Sequence, residues 1–345
     1  MIRTIFMGTP EFSLESLRYL YENTDLRLVV TKEDKINSRG NKINYSPVKE
    51  FAIEHNIEYL QPKSLKNDET YEYIKSFEPE LIVVAAYGKI IPKRLIDLPK
   101  YGIINVHSSI LPKYRGSSPI HHALLNGDKK TGLTIMLIDE GLDTGDILEV
   151  EEVDIDEKDN LATLTEKLSN MSYGLLDKTI KKILSGTITR TKQDDAKAVV
   201  VSLIKKSDCL LDFNLTKEQI YNKVRAFNPT PTAYILKGSE HIKVYEVEKI
   251  DKEYEGKMGQ VVEITKKGPI VKCLNGAVKL KSVKFEGKKI QSGADIVNGR
   301  KVLLGDVFYG KESWFYIERY FKSHGNKNNR IFNYFVWSKK VWKEN

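Results

Sequence analysis

The chain has 345 residues, 41% of them hydrophobic, with 55 Lys and Arg against 47 Asp and Glu, a net charge of +8. Such a length exceeds one ordinary domain and the apolar share suffices for a packed core, so two domains are expected and disorder of the whole chain is excluded. No stretch approaches the roughly 18 uninterrupted apolar residues of a membrane span. Met1-Ile2-Arg3-Thr4-Ile5-Phe6 runs into a strand pattern without the flanks of a signal peptide, so a cytoplasmic protein with no membrane partner is expected. Cys209 and Cys273 stand alone, outside any CxxC spacing, which excludes a disulfide framework and a thiol-rich zinc site.

Short apolar runs predict strands over 4–7, 26–30, 81–85, 103–106 and 134–138. Between them apolar residues recur at helical spacing, as in Phe12, Leu14, Leu17 and Leu20. The alternation predicts an α/β domain with a Rossmann-like, mostly parallel sheet and helices on both faces. Three helix starts share one device, Thr9-Pro10, Ser46-Pro47 and Ser118-Pro119, in which the hydroxyl caps free N–H groups and proline takes the first helical position. Gly127 reads as a left-handed cap closing the third. A long amphipathic helix is expected over 161–184, stopped by Gly186, and completes a first domain over 1–190. Periodicity then fades, and 191–206 is expected to be a linker. In the second domain, 207–308, Thr216 to Gln219 forms a capping box opening a helix through Ala226. Alternating segments at 242–247, 259–264, 269–274 and 277–283 follow, the pattern of a small antiparallel, OB-like β-barrel.

The charge is unevenly placed. Residues 1–204 carry 27 basic and 31 acidic side chains, whereas 205–308 carry 20 and 13. A basic module behind an acidic-leaning one suits a polyanion partner, although a Lys-rich surface can also bind nothing. Residues 309–345 hold all three tryptophans, 11 of the 33 aromatics and eight basic side chains, and form an extension of unassigned role.

The turn after the first strand, Met7-Gly8-Thr9-Pro10-Glu11-Phe12, has one glycine and no GxGxxG, and GxxxxGK[ST] is absent, which argues against NAD and ATP. HExxH is missing and the adjacent His121-His122 point apart on a helix, so no metal is expected. The informative segment is 102–146. Asn105 and His107 share one face of a strand at its carboxyl end, where open parallel sheets bind ligands. Tyr114-Arg115-Gly116 follows, and then the acidic, glycine-punctuated loop Asp139-Glu140-Gly141-Leu142-Asp143-Thr144-Gly145-Asp146. An amide and an imidazole can hold an oxyanion while a carboxylate orients the imidazole, a constellation for acyl transfer. The plainer alternative is a strand end capped by Asn and His beside a solvated turn. A hydrolase using Ser108 or Ser109 is disfavoured because no GxSxG elbow is present and Ser108 points away from His107.

At these residues the chain resembles the folate-dependent formyltransferases. The shared marks are Phe6-Met7-Gly8-Thr9-Pro10-Glu11-Phe12, Ser46-Pro47-Val48-Lys49, Ala86-Tyr87-Gly88, Asn105-Val106-His107, Ser109-Ile110-Leu111-Pro112, Arg115-Gly116 and Gly141-Leu142-Asp143-Thr144-Gly145-Asp146. In the rear half, Arg225-Ala226-Phe227-Asn228-Pro229 and Asn298-Gly299-Arg300 resemble the methionyl-tRNA formyltransferases within that group. The resemblance implies transfer of a formyl group from 10-formyltetrahydrofolate to the α-amino group of methionyl initiator tRNA by a monomer without a metal. It implies Asn105, His107 and Asp143 as the catalytic trio and Ser109, Ile110, Leu111, Pro112, Tyr87 and Gly88 as folate-binding. Arg39, Lys42, Phe12 and Arg225 are implied at the tRNA and methionyl side. A formyltransferase acting on an amino-sugar nucleotide and a non-catalytic tRNA-binding relative stand as alternatives.

Overall fold

The structure, a computed structural model, describes residues 1–36 and 43–309. Arg39, Lys42 and the extension beyond residue 309 lie outside the described residues. The chain divides into two compact units, one of residues 1–123 with 128–203, the other of 124–127 with 204 onward.

In the first unit seven strands form one sheet: β1 (Arg3–Gly8), β2 (Asp25–Val30), β3 (Tyr59–Leu60), β4 (Leu81–Ala85), β5 (Ile103–His107), β6 (Lys130–Leu137) and β7 (Ile147–Asp154), in the order β7-β6-β5-β4-β1-β2-β3. The five from β3 to β5 are parallel neighbours, and β6 and β7 are added antiparallel. Besides a single turn at Lys93–Ile96, the helices are α1 (Leu14–Asn23), α2 (Pro47–Glu54), α3 (Asp68–Ser76), α4 (Pro119–Leu125) and α5 (Leu161–Ser185). Side chains alternate across the sheet, so Ile5, Met7, Leu28, Val30, Ile82, Val84 and Ile103 share one cluster with Ile74 of α3 and Leu95. Each such buried side chain contributes about 1.5–3 kcal/mol. Elsewhere α1 packs on α5, with Ser16 donating to Ser172 at 2.9 Å and Tyr19 edge-on to Tyr173.

Local chemistry explains most helix ends. Asn160 accepts from the Ala162 and Thr163 amides, and Gly186 at φ +69° closes α5 where the sequence pattern placed its stop. Of the three hydroxyl-proline starts, Ser46 caps as expected, accepting from the Lys49 amide at 3.1 Å. Thr9 does not, because a 3-10 turn at Glu11–Ser13 separates it from α1, and its hydroxyl is buried without a partner among the described residues. Ser118 sits at φ +63°, outside the extended geometry of an N-cap.

Residues 191–203 are not a free connector. Thr191 and Ile147 exchange backbone hydrogen bonds at 2.8 and 2.9 Å, and Val200–Val201 pairs in parallel with Arg115–Gly116. The division between units falls after Leu203.

The second unit opens with α6 (Lys217–Ala226), held by the Thr216–Gln219 capping box. Its strands are β8 (Ala233–Lys237), β9 (Glu240–Ile250), β10 (Val261–Thr265), β11 (Gly268–Cys273), β12 (Gly276–Phe285) and β13 (Gln291–Ser292), followed by α7 (Gly293–Asn298). They form an antiparallel sheet in the order β8-β9-β12-β11-β10, with β13 beside β12. Val307 bridges to Gln260 next to β10 and Tyr309 bridges to Leu236 in β8. Residues 307–309 thereby bridge to both sides of this sheet, as the expected barrel requires.

Candidate active site

Strands β4, β5 and β1 end side by side, and the loops beyond them carry most of the expected site residues. Asn105 pairs with Val84 on one side and Met136 on the other, so its main chain is locked in the sheet. Its carboxamide is half-buried and has no hydrogen-bond partner among the described residues. His107, two residues on and on the same face, is only 5% exposed. Its Nε2 lies 2.9 Å from the Tyr114 carbonyl oxygen. A carbonyl can only accept, so Nε2 carries a proton whether the ring is neutral or charged, and the nitrogen that gains or loses one is Nδ1. Nδ1 faces Asp143 Oδ2 at 3.7 Å, close enough for charge attraction and too long for a direct hydrogen bond.

Asp143 is held from two directions. Its Oδ2 accepts from the Gly116 amide at 2.7 Å. Its main chain, at φ +53°, belongs to a loop whose carbonyls at Asp143 and Gly145 both accept from Gln193 Nε2, at 2.9 and 2.8 Å. Gln193 Oε1 in turn accepts from Nε of the buried Arg115 at 2.9 Å, and Arg115 also pairs with Asp195 at 2.8 Å. Asp139 ties the loop's near end, accepting from the Gly141 amide at 3.0 Å and the Thr144 hydroxyl at 2.7 Å. Gly145 is required by space, since a Cβ there would stand 1.8 Å from the Leu137 carbonyl oxygen. His107 and Asp143 are therefore brought together, and Asn105 shares the strand face of His107. Gln193 was missed because it falls in the stretch expected to be linker, where no periodicity or motif marks it.

The loop 109–112 is stapled to β6. Thr134 Oγ1 donates to the Ser109 carbonyl at 2.7 Å and accepts from the Leu111 amide at 3.1 Å. Ser109 is fully buried and its hydroxyl donates to the Lys113 carbonyl at 2.6 Å, so it is committed to structure and the hydrolase alternative loses its nucleophile. Leu111 is buried, while Ile110 and Pro112 are half-exposed. The Tyr87 side chain, expected at the folate, is 1% exposed and part of the apolar cluster that holds Ile82 and Val84 of β4, and burial raises its phenol to about 12. Its hydroxyl has no partner among the described residues, and what its loop offers to solvent is the chain at Ala86 and Gly88. Phe12 is also buried, with its carbonyl accepting from Ser169 Oγ at 3.0 Å. Arg225 lies on α6 of the second unit, its Nε donating to Asn222 Oδ1 at 3.0 Å and its guanidinium 5.8 Å from the Tyr221 ring centre. His121 is driven down to about 4 by burial and by the neighbouring His122. No group of three metal-binding side chains occurs among the described residues, and no helix among them is long and apolar enough to cross a membrane.

The family described as Formyl transferase matches residues 4–180, and the Formyl transferase C-terminal domain matches residues 203–301. The chain belongs to the formyltransferase family and is an enzyme of that class. It is 43% identical over 307 residues to the methionyl-tRNA formyltransferase of Fusobacterium nucleatum, covering 88% of this chain and 99% of that protein. It is 43% identical over 309 residues to the methionyl-tRNA formyltransferase of Bacillus subtilis, covering 89% and 98%. Among solved structures, the sugar 3N-formyl transferase WlaRD, determined in the presence of dTDP and 5-N-formyl-THF, shares the fold with a TM-score of 0.60 at 23% identity, covering 84% of this chain and 99% of that one.

Proposed function

We propose that the protein transfers the formyl group of 10-formyltetrahydrofolate to the α-amino group of methionyl initiator tRNA. The observation that carries the reaction class is His107, its Nε2 on the Tyr114 carbonyl and its Nδ1 3.7 Å from Asp143, on the same face at the end of β5 as the unpartnered Asn105 carboxamide. The acceptor is supported by two relatives named methionyl-tRNA formyltransferase that match along nearly their whole length, and by the basic excess of residues 205–308.

The neutral amine attacks the formyl carbon, forming the new C–N bond and a tetrahedral oxyanion. The unpartnered Asn105 amide donates to that oxygen, and His107 Nδ1, when protonated, is the second donor. Asp143 stabilises the charged ring across the 3.7 Å gap, which tightens or admits a water in the reacting complex. Collapse breaks the bond from the formyl carbon to N10, and the proton lost by the attacking amine ends on N10, passed along the Asp143 and Nδ1 pair. No group on the enzyme becomes acylated. Holding both substrates in line supplies proximity, and the two donors add electrostatic stabilisation. The test is a transfer assay with 10-formyltetrahydrofolate and charged initiator tRNA, with free methionine and an amino-sugar nucleotide as controls. Formylation of the sugar but not of the charged tRNA would overturn the choice of acceptor, and no transfer to either would overturn the reaction.

A further inference from the structure

We propose that Gln193 is a positioning residue for this transfer, holding Asp143 against His107 through the main chain of the 139–146 loop. The inference deepens the reading above and rests on it. The Gln193 amide is oriented without ambiguity. Its oxygen takes the Arg115 guanidinium and its NH2 serves the Asp143 and Gly145 carbonyls, at 2.9, 2.9 and 2.8 Å, so a flipped amide would set oxygen against two carbonyl oxygens and NH2 against a cation. Arg115 is itself anchored, buried and paired with Asp195 at 2.8 Å. The grip falls on either side of Thr144, immediately beside Asp143 at φ +53°, a conformation that an aspartate tolerates and does not favour.

Arg115 and Gly116 thus act on Asp143 by two routes. The Gly116 amide holds the carboxylate directly, and Arg115 holds the loop's main chain by way of Gln193. Gln193 meets the loop only at main-chain carbonyls, so its loss should slow the reacting step without changing what the enzyme binds. A displacement of about 1 Å in a reacting group is enough to cost about 100-fold in rate.

The informative variant is Gln193→Glu, which keeps an oxygen for Arg115 and replaces the donors to the loop by an oxygen that faces the two carbonyls. At saturating substrates kcat should fall about tenfold or more with both KM values within about threefold. Combined with Asp143→Asn, Gln193→Glu should add less than about twofold, because it acts through the carboxylate already removed. Hydrogen exchange of the 139–146 amides should quicken in the single variant while the melting temperature of the full chain stays close to wild type. Gln193→Met, of similar length and uncharged, repeats the test should the glutamate variant fail to fold. Unchanged exchange with kcat within about twofold, or a full multiplicative loss in the Asp143→Asn background, would overturn the proposal. Should wild-type protein transfer no formyl group, the function assigned above falls, and the exchange measurement still decides whether Gln193 holds the loop.

Discussion

Asn105→Ala should separate catalysis from stability. The side chain is half-buried and bonded to nothing among the described residues, so its removal orphans no partner. The strand around it stays anchored by pairing to β4 and β6. A substitution that breaks no buried contact changes folding free energy by about 0.5 kcal/mol or less. At about 2–4 °C per kcal/mol for units of this size, the melting temperature should move by about 2 °C at most. Losing one preorganised oxyanion donor, by contrast, costs about 100- to 1000-fold in turnover, or ~2.7–4 kcal/mol of transition-state stabilisation. Single-turnover transfer of labelled formyl from 10-formyltetrahydrofolate to charged initiator tRNA, run beside thermal melts, reads both. Asn105→Asp should be at least as slow, since it keeps the volume and replaces the donor by an acceptor. Transfer by Asn105→Ala within about threefold of wild type would remove Asn105 from the oxyanion site. A rate loss that merely tracked a lower melting temperature would refute the division drawn between binding to the reaction and holding the fold.

Gly145→Ala should cost both stability and activity, because the added Cβ meets main chain, the Leu137 carbonyl, at 1.8 Å and the loop must shift to admit it; a melting temperature and kcat equal to wild type would contradict that packing. Burial alone would raise the Glu149 carboxyl, but hydrogen bonds from Lys178 and Lys182 outweigh it and hold it below the usual range. A depressed folded-state value contributes stability above the unfolded pKa and loses it as pH falls through the folded one. Melts of Glu149→Gln and wild type should therefore differ at pH 7 and converge in acid, and a constant gap would refute the linkage. Affinity of the full chain for initiator tRNA should fall steeply with salt, by about 1000-fold between about 50 and 200 mM if some six phosphates are neutralised; filter binding that is flat over that range would contradict a phosphate-contacting basic surface.

The fold was legible where one principle acted alone. The apolar runs at 4–7 and 81–85, the α5 stop at Gly186 and the Thr216 capping box were readable because apolar runs and cap chemistry are local. The strand-end placement of Asn105 and His107 was legible too, whereas the approach of Asp143 to His107 was expected only from the resemblance. What escaped was set by distant main chain. Nothing near Gln193 shows that its amide will reach carbonyls some 50 residues earlier, at Asp143 and Gly145. Nothing near His107 shows that the Tyr114 carbonyl, rather than the carboxylate, fixes the ring's tautomer. Thr9 misled for the opposite reason, since a good cap-and-proline signal was displaced by a 3-10 turn that the motif does not encode.

Under the proposed mechanism, Asn105 and His107 take different tasks. A donor that meets an oxyanion only in the transition state should be free in the resting enzyme, as Asn105 is, so that no ground-state bond has to break first. An imidazole that must present one chosen nitrogen should instead be tied, as His107 is, with Nε2 on a carbonyl and Nδ1 toward a carboxylate. Supplying those partners requires unusual backbone: Tyr114 at φ +63° offers the carbonyl, Gly116 at φ +98° offers the amide, and Asp143 at φ +53° offers the carboxylate. A left-handed residue other than glycine costs roughly 1–2 kcal/mol. The two non-glycine cases therefore draw on sheet and core to persist, and the strain lies where reorganisation during the reaction would otherwise be needed. Relaxing that backbone would stabilise the chain locally and slow transfer, the opposite signs expected of a site whose geometry is held ready in advance.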